Sequence, residues 1–395
     1  MTPAARISAA IEVLDDIIQR RRPAADALKD WGLSRRFAGS KDRAAIASLV
    51  YDALRRKASS THVMGSDTPR AVMLGMLARQ RGLDLEEIAA LCTGEHHAPA
   101  PLESEEVDRL VALSLSGAPD WVRADVPEWL WPGFSSAFGA EAVAEGEALA
   151  GRAPIDIRAN RLKTTREALA GELAHAAPEA GAWSPDALRF QPGVDGRGPS
   201  LQAEPTFFAG GFEIQDEGSQ LVTLLAGAKP GQTVVDLCAG AGGKTLALAA
   251  LMANSGRLFA TDLDARRLAP LHERLARSGA SIVEIRIPRS RGHEPLAERV
   301  KDQAEVLARA ARLVKPGGRI AYITCSVLPE ENDAAIEAFL ARNPGFAALA
   351  PAGMLASEHG DFSLLARFAT GRGLQLSPRR TGTDGFYLAC VRRGD

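Results

Sequence analysis

From residue 1 to about 150 the apolar positions recur at steps of three and four. In ARISAAIEVLDDIIQRRR, Ile7, Ile11, Leu14 and Ile18 share one helix face. SKDRAAIASLVYDALRRK repeats the pattern with Ile46, Leu49, Val50 and Leu54, and Ser40 is placed to cap its start. LDLEEIAALC and SEEVDRLVALSL continue it without strand-like alternation. An all-α N-terminal domain over 1–150 is predicted. After Pro154 the texture changes. IDIRANRL alternates like a strand, TTREALAGELAHA is helical, and ALRFQ and FEIQ are short strands, which predicts a small α+β module over 151–212. In the third segment, 213–395, strand-like and helical runs alternate strictly from about 217 to 340, the pattern of an α/β doubly wound sheet. LQLSPRRTGTDGFYLACVRR closes the chain as a hairpin-like strand pair.

Composition narrows the classes. A chain of 395 residues holds two or three domains, and 46% hydrophobic with 24% charged residues is ordinary for a globular protein. A net charge of −2 excludes a basic field over the whole molecule, so any nucleic-acid surface is local. Basic residues cluster at Arg20 to Arg22, Arg35, Arg36, Lys41, Arg43 and Arg55 to Lys57. They read either as solvated helix faces or as a phosphate-binding surface. Cys92, Cys238, Cys325 and Cys390 lie far apart with no CxxC pair, which argues against disulfides and a structural zinc. The first residues lack a signal peptide's apolar core, and no run of eighteen apolar residues occurs. A cytoplasmic protein without membrane or metal is expected.

TVVDLCAGAGGKTLALAAL carries the most information. Val234, Val235 and Leu237 predict a buried parallel strand, followed by a glycine-rich turn and a helix. A dinucleotide fingerprint GxGxxG fits at Gly240 and Gly242 but meets Thr245 at its third glycine. A phosphate-binding GxxxxGK[ST] loop fits at Gly243, Lys244 and Thr245 but meets Cys238 at its first. An S-adenosylmethionine loop needs an acid at the strand end and a short glycine turn, which Asp236 and CAGAGGK supply. The next strand ends in Asp262, twenty residues beyond Gly242, where a carboxylate can accept from ribose hydroxyls or cap the following helix.

RIAYITCSVLPEEN places Cys325 at the end of an apolar strand, the end that faces the ligand crevice in open α/β sheets. It reads as a nucleophile or as a small buried hydrophobe. With FEIQDEGSQLV, DLCAGAGGKT, YITCSVLPEEN and RRTGTDGFY in this order, nearly the whole chain resembles the Sun-type (NOL/NOP/Sun) RNA cytosine-5 methyltransferases, in particular the bacterial ribosomal RNA type. The helical part is similar to that family's NusB-like RNA-binding domain, and IRANRLKTTRE to its small middle module. The resemblance implies a class I methyltransferase domain, S-adenosyl-L-methionine as cofactor and RNA, of the ribosomal kind, as partner. It implies that Cys238, Ala239, Gly240, Ala241, Gly242, Gly243 and Lys244 hold the cofactor with Asp262 on its ribose, and that Cys325 attacks C6 of cytosine so that C5 can accept a methyl group.

One family signature is missing. No Pro-Cys dipeptide occurs, so the Asp-Ala-Pro-Cys segment is absent, and with it an aspartate that contacts the cytosine and a cysteine that assists release. IRIPRSRG also offers arginines where many members carry a carboxylate near the adenine. Between Pro288 and Arg319 lie thirty residues, most of them used by one predicted helix with Leu296, Val300, Ala304, Leu307 and Ala311 on a face. A further strand with its own crossover does not fit, because a βαβ unit takes about 30 residues by itself. The expected sheet therefore lacks one central strand. Two alternatives to the methyltransferase remain: a catalytically impaired RNA-binding family member, and a P-loop nucleotide hydrolase.

Overall fold

A computed structural model describes residues 1–191, 193, 198–287 and 296–395, the side chains of 296–299 excepted. The arginines anticipated at 289 and 291, and Leu296 on its helix face, lie outside the described residues. The chain forms two compact units, Met1–Arg152 and Ala153–Asp395.

The first unit is helical throughout: α1 (Pro3–Arg20), α2 (Ala24–Ser34), α3 (Ser40–Arg55), α4 (Lys57–Met64), α5 (Pro69–Arg79), α6 (Leu85–Leu91), α7 (Ser104–Ala112), α8 (Asp120–Arg123), α9 (Trp131–Phe138) and α10 (Ala142–Leu149). Thr2 and Thr68 each cap a helix that opens on proline, accepting from Ala5 and Ala71 N–H. Ser40, expected as the cap of α3, is instead its first residue; Gly39 holds the cap position without a side-chain bond. The predicted apolar faces meet in one core that includes Ile7, Leu14, Ile46, Val50, Val72, Met73 and Met76. α4 and α5 approach so closely that a Cβ on Gly75 would lie 2.8 Å from Ser60 Cβ. Asp52, fully buried on α3, gathers Arg55, Arg81 and Arg152 around its carboxylate. A buried carboxylate is tolerated only with such partners.

The second unit begins with an antiparallel sheet ordered β2-β3-β1-β4, from β1 (Ile155–Ala159), β2 (Glu179–Ala180), β3 (Ala187–Phe190) and β4 (Phe212–Ile214). Helices α11 (Arg166–Glu172) and α12 (Pro205–Phe208) accompany it. The predicted alternation follows: α13 (Glu217–Ala226), β5 (Thr233–Asp236), α14 (Gly243–Leu251), β6 (Arg257–Ala260), α15 (Ala265–Ser278), β7 (Val283–Ile285), α16 (Leu296–Leu313), β8 (Arg319–Thr324) and α17 (Asp333–Arg342). After β9 (Phe346–Ala348) and α18 (Pro351–Leu355), a small hairpin joins β10 (Ala356–Ser357) and β11 (Gly360–Asp361). β12 (Leu374–Gln375), α19 (Pro378–Thr381) and β13 (Tyr387–Arg393) close the chain.

The strands do not make one sheet. Among the described residues β5, β6 and β7 form a parallel three-stranded sheet in that order, while β8 pairs antiparallel with β13 in a second sheet with β12 and β9. Among the described strands β5 and β8 are each an edge. The expected burial of the cofactor strand is corrected accordingly: Val234 and Leu237 are only partly buried, and Val235 is 39% exposed. A parallel strand is normally covered by neighbours and helices on both sides. β5 has β6 on one side, and no described strand pairs with its other edge.

Candidate active site

The glycine loop between β5 and α14 is held from several directions. Asp236, at the strand end, accepts from the Thr245 hydroxyl at 2.7 Å and from the Cys238 N–H at 3.3 Å. It therefore ties the loop to the helix start. Burial pushes its carboxyl up, while Thr245 and Lys244 pull the other way. The P-loop pattern is broken at its first glycine, where Cys238 stands. Gly240 N–H donates to Asp262 Oδ2 at 3.0 Å, and Ala239 N–H to the Thr261 carbonyl at 3.0 Å. Gly242 sits at φ 90°, in the region that favours glycine, and a Cβ there would lie 2.2 Å from Leu271 Cδ1.

Asp262 is 3% exposed at the end of β6. It does not cap α15, one of its anticipated roles. Asp264 does so through Arg266 N–H, while Asp262 Oδ1 accepts from Asp264 N–H at 3.0 Å. Each Asp262 oxygen still has a lone pair for a hydroxyl. Next to it the Thr261 hydroxyl is buried without a hydrogen-bond partner. A glycine turn, the free first amides of α14, a buried acid and an orphaned hydroxyl form a donor and acceptor set that fits a nucleoside carrying an α-amino-acid tail.

Cys325 is exposed just past β8. The loop behind it is rigidly wired. Thr324 donates to Asn332 at 2.6 Å, and Ser326 donates to Glu331 at 2.8 Å. Asn332 donates to the Ser326 carbonyl and to Gln375. Tyr322 donates to the Glu331 carbonyl at 2.7 Å. Asn332 and Glu331, the last residues of the PEEN run, thus brace the thiol's loop.

The two halves meet at Lys244. Its ammonium lies 4.9 Å from the Phe386 ring centroid. Phe386 precedes Tyr387, which pairs with Thr324, the residue before Cys325. Burial lowers the Lys244 pKa, and Asp236, Cys325 and Asp216 oppose the shift. The structure thus brings the predicted loop 238–244, Asp262 and Cys325 to one end of the two sheets. Asp216, which caps α13 and accepts from Asp384 N–H at 3.0 Å, joins the cluster. Burial pushes it up to about 6, and repulsion from Asp384 and Asp156 adds to the rise against two backbone N–H donors.

Sequence reading missed the supports beneath the loop. Arg267, Leu271 and Arg274 of α15 all touch it. Their i, i+4, i+7 spacing is visible in DARRLAPLHERL, but the pattern alone names no partner.

The family 16S rRNA methyltransferase RsmB/F matches residues 222–290 and 284–392. The ferredoxin-like domain of RsmF/B-like methyltransferases matches 126–196. The chain is 32% identical over 301 residues to ribosomal RNA small subunit methyltransferase B of Sodalis glossinidius, covering 67% of this chain and 64% of that protein. It is 29% identical over 233 residues to a 28S rRNA (cytosine-C(5))-methyltransferase of Mus musculus, covering 49% of this chain and 50% of that one. The match thus spans slightly under two thirds of the bacterial relative's length. The Sodalis alignment occupies 67% of 395 residues, about 265, so about 36 of its 301 positions face no residue of this chain. Among solved structures, PH0851 superposes with a TM-score of 0.69 at 24% identity over all of this chain and 99% of that one. NSun6 from Pyrococcus horikoshii, solved with SFG, gives 0.55 at 19% identity over 68% of this chain and 98% of that one.

Proposed function

The chain belongs to the RsmB/F branch of the Sun-type RNA methyltransferases, and on that premise we propose that it binds S-adenosyl-L-methionine and is built to methylate C5 of a cytosine in ribosomal RNA. The observation that carries this reading is the convergence of the glycine loop and the exposed Cys325 on Lys244 and Phe386. Bound S-adenosyl-L-methionine would supply an electrophilic methyl group on its sulfonium. Cys238 to Lys244 and Asp262 would hold it, with Asp262 accepting from the ribose hydroxyls.

Cytosine C5 is too electron-poor to take a methyl group unaided. Addition of the Cys325 sulfur to C6 turns the C4–C5 bond into an enamine-like nucleophile. Once C5 carries the methyl group, its proton leaves to a base and the C6–S bond breaks. Thiolates suit both steps, as nucleophile and as leaving group. The exposure of the thiol, on a loop braced by Asn332 and Glu331, supports this reading. The helical unit would act as the NusB-like RNA-binding domain, with the small module and the catalytic domain following it.

A second reading has its own support: the chain is a catalytically impaired member whose sheet lost its central strand. β5 and β8 are edges of separate sheets, the RsmB/F match falls in two segments that meet at 284–290, and about 36 aligned positions are missing. The Asp-Ala-Pro-Cys segment would lie between them. Incorporation of tritiated methyl into ribosomal RNA tests both readings. The chain as it stands should transfer little or none. Restoring the relatives' segment between Ile287 and Leu296 should bring transfer back, and Cys325→Ala in the restored chain should abolish it and prevent trapping on 5-fluorocytosine RNA. Robust Cys325-dependent transfer by the unrestored chain would show that the gap is not disabling. Transfer that survives Cys325→Ala would overturn the assignment of the nucleophile.

A further inference from the structure

Helix α15 presents one face to the glycine loop. Arg267 stands 3.5 Å from Asp262, Leu271 fills the space against Gly242, and Arg274 donates to the Ala241 carbonyl at 2.6 Å. The Ala241 carbonyl and the Gly242 N–H belong to one peptide plane. The N–H donates to the Ala239 carbonyl at 2.8 Å, so the plane is pinned at both ends. Releasing the Arg274 end lets that plane rotate, and with it the left-handed backbone of Gly242 on which the loop's shape depends.

Arg274 is itself held from the small module's sheet, which β4 carries past the expected boundary at 212. Its other nitrogens donate to Glu213 Oε2 at 2.8 and 3.1 Å. Glu213 lies on β4, is 3% exposed, and gives its second oxygen to Arg277 at 2.7 Å. The small module grips the same helix end elsewhere. Lys163 donates to the Arg277 carbonyl at 2.6 Å, Asn160 to the Ser278 carbonyl at 2.8 Å, and the Arg277 guanidinium stacks 3.8 Å over Phe207. A planar guanidinium can span a carboxylate and a carbonyl at once, which a lysine ammonium cannot match in geometry.

We propose that Arg274, anchored by Glu213 of the small module, is a positioning residue for the cofactor loop, so that the module sets the loop's affinity for S-adenosyl-L-methionine. This rests on the cofactor reading above. The rival is a clamp that only joins module to helix. Two readouts on the full chain separate them: isothermal titration with S-adenosyl-L-methionine, and hydrogen exchange of the Gly242 amide without ligand. Arg274→Lys should weaken binding about tenfold or more and speed Gly242 exchange, with Glu213→Gln giving a smaller effect of the same kind. The double variant should be no weaker than Arg274→Lys, because both act through one contact. Arg277→Lys, which loses a Glu213 bond without touching the loop, should lower the melting temperature and leave affinity and Gly242 exchange unchanged. Unchanged affinity and exchange in Arg274→Lys, with a melting temperature lowered as in Arg277→Lys, would leave only the clamp. If the parent chain binds no S-adenosyl-L-methionine yet Arg274→Lys still speeds Gly242 exchange, the cofactor reading fails while the positioning of the loop stands.

Discussion

Replacing Val235 by lysine distinguishes a broken sheet from an intact one. In a continuous doubly wound sheet β5 is central, and a lysine there would bury an unpaired charge at a cost of about 3–5 kcal/mol or more. Here Val235 is 39% exposed. Burying a whole valine side chain contributes about 1.5–3 kcal/mol, and roughly three fifths of that is at stake. A lysine stem can cover much of the same surface with its ammonium in water. Val235→Lys should therefore cost about 1–2 kcal/mol, a shift of roughly 2–4 °C per kcal/mol in the transition of the second unit. Thermal unfolding by circular dichroism measures it. In a chain with the relatives' segment restored, the same substitution should become ruinous. A loss of about 4 kcal/mol or more in the unrestored chain would show that β5 is covered after all and refute the reasoning.

Asp216 should give a pH signature. Its folded value, about 6, lies above the ordinary carboxylate value, so the folded state keeps a proton that the unfolded chain releases. That contribution, on the order of 3 kcal/mol, is present below about pH 4 and lost as pH rises through 6. Asp216→Asn should flatten the difference in a pH series of melts, and identical profiles for parent and variant would remove the assignment. RNA binding should follow the cations that lack acidic partners. Arg20, Arg22, Arg35, Arg55 and Arg56 are ion-paired within the helical unit, whereas among the described residues no acid reaches Arg36, Lys41 or Arg43. Replacing these three by glutamine should lower the slope of log affinity against log salt by about 2–3, while Arg22→Gln and Arg35→Gln leave it alone. A slope indifferent to the triple change would return the patch to solvated surface.

Much of this was legible in the residues because local physics wrote it there. The three- and four-residue steps of Ile7, Leu14, Ile46 and Val50 demand a common core, and they form one. Glycine spacing marked the loop, since Gly242 stands where a side chain would meet Leu271. The thirty residues between Pro288 and Arg319 spelled one crossover helix, and α16 occupies that stretch. What sequence could not supply were relations fixed only by tertiary packing. Nothing in Val234 and Val235 says that no described strand pairs with one flank of theirs, since apolar runs read the same at centre and edge. Nothing in Glu213 names Arg274, 61 residues away, as its partner. Ser40 failed as a cap because a preceding glycine can hold the cap position without any side-chain bond.

The carboxylate of Asp52 has a consequence for how the chain is made. Two of its partners, Arg55 and Arg81, are synthesised soon after it, but the third, Arg152, is the last residue of the helical unit. Arg152 also donates to Ser48 at 2.7 Å. During synthesis Asp52 can pair with Arg55 and Arg81 early, whereas its contact with Arg152 cannot form until about a hundred further residues have been made. A fragment cut at residue 150, where periodicity alone would end the domain, discards that closing residue, whereas two further residues retain it. That contact ties α3 to the far end of the helical unit, a join that is made only once the unit's whole length is present.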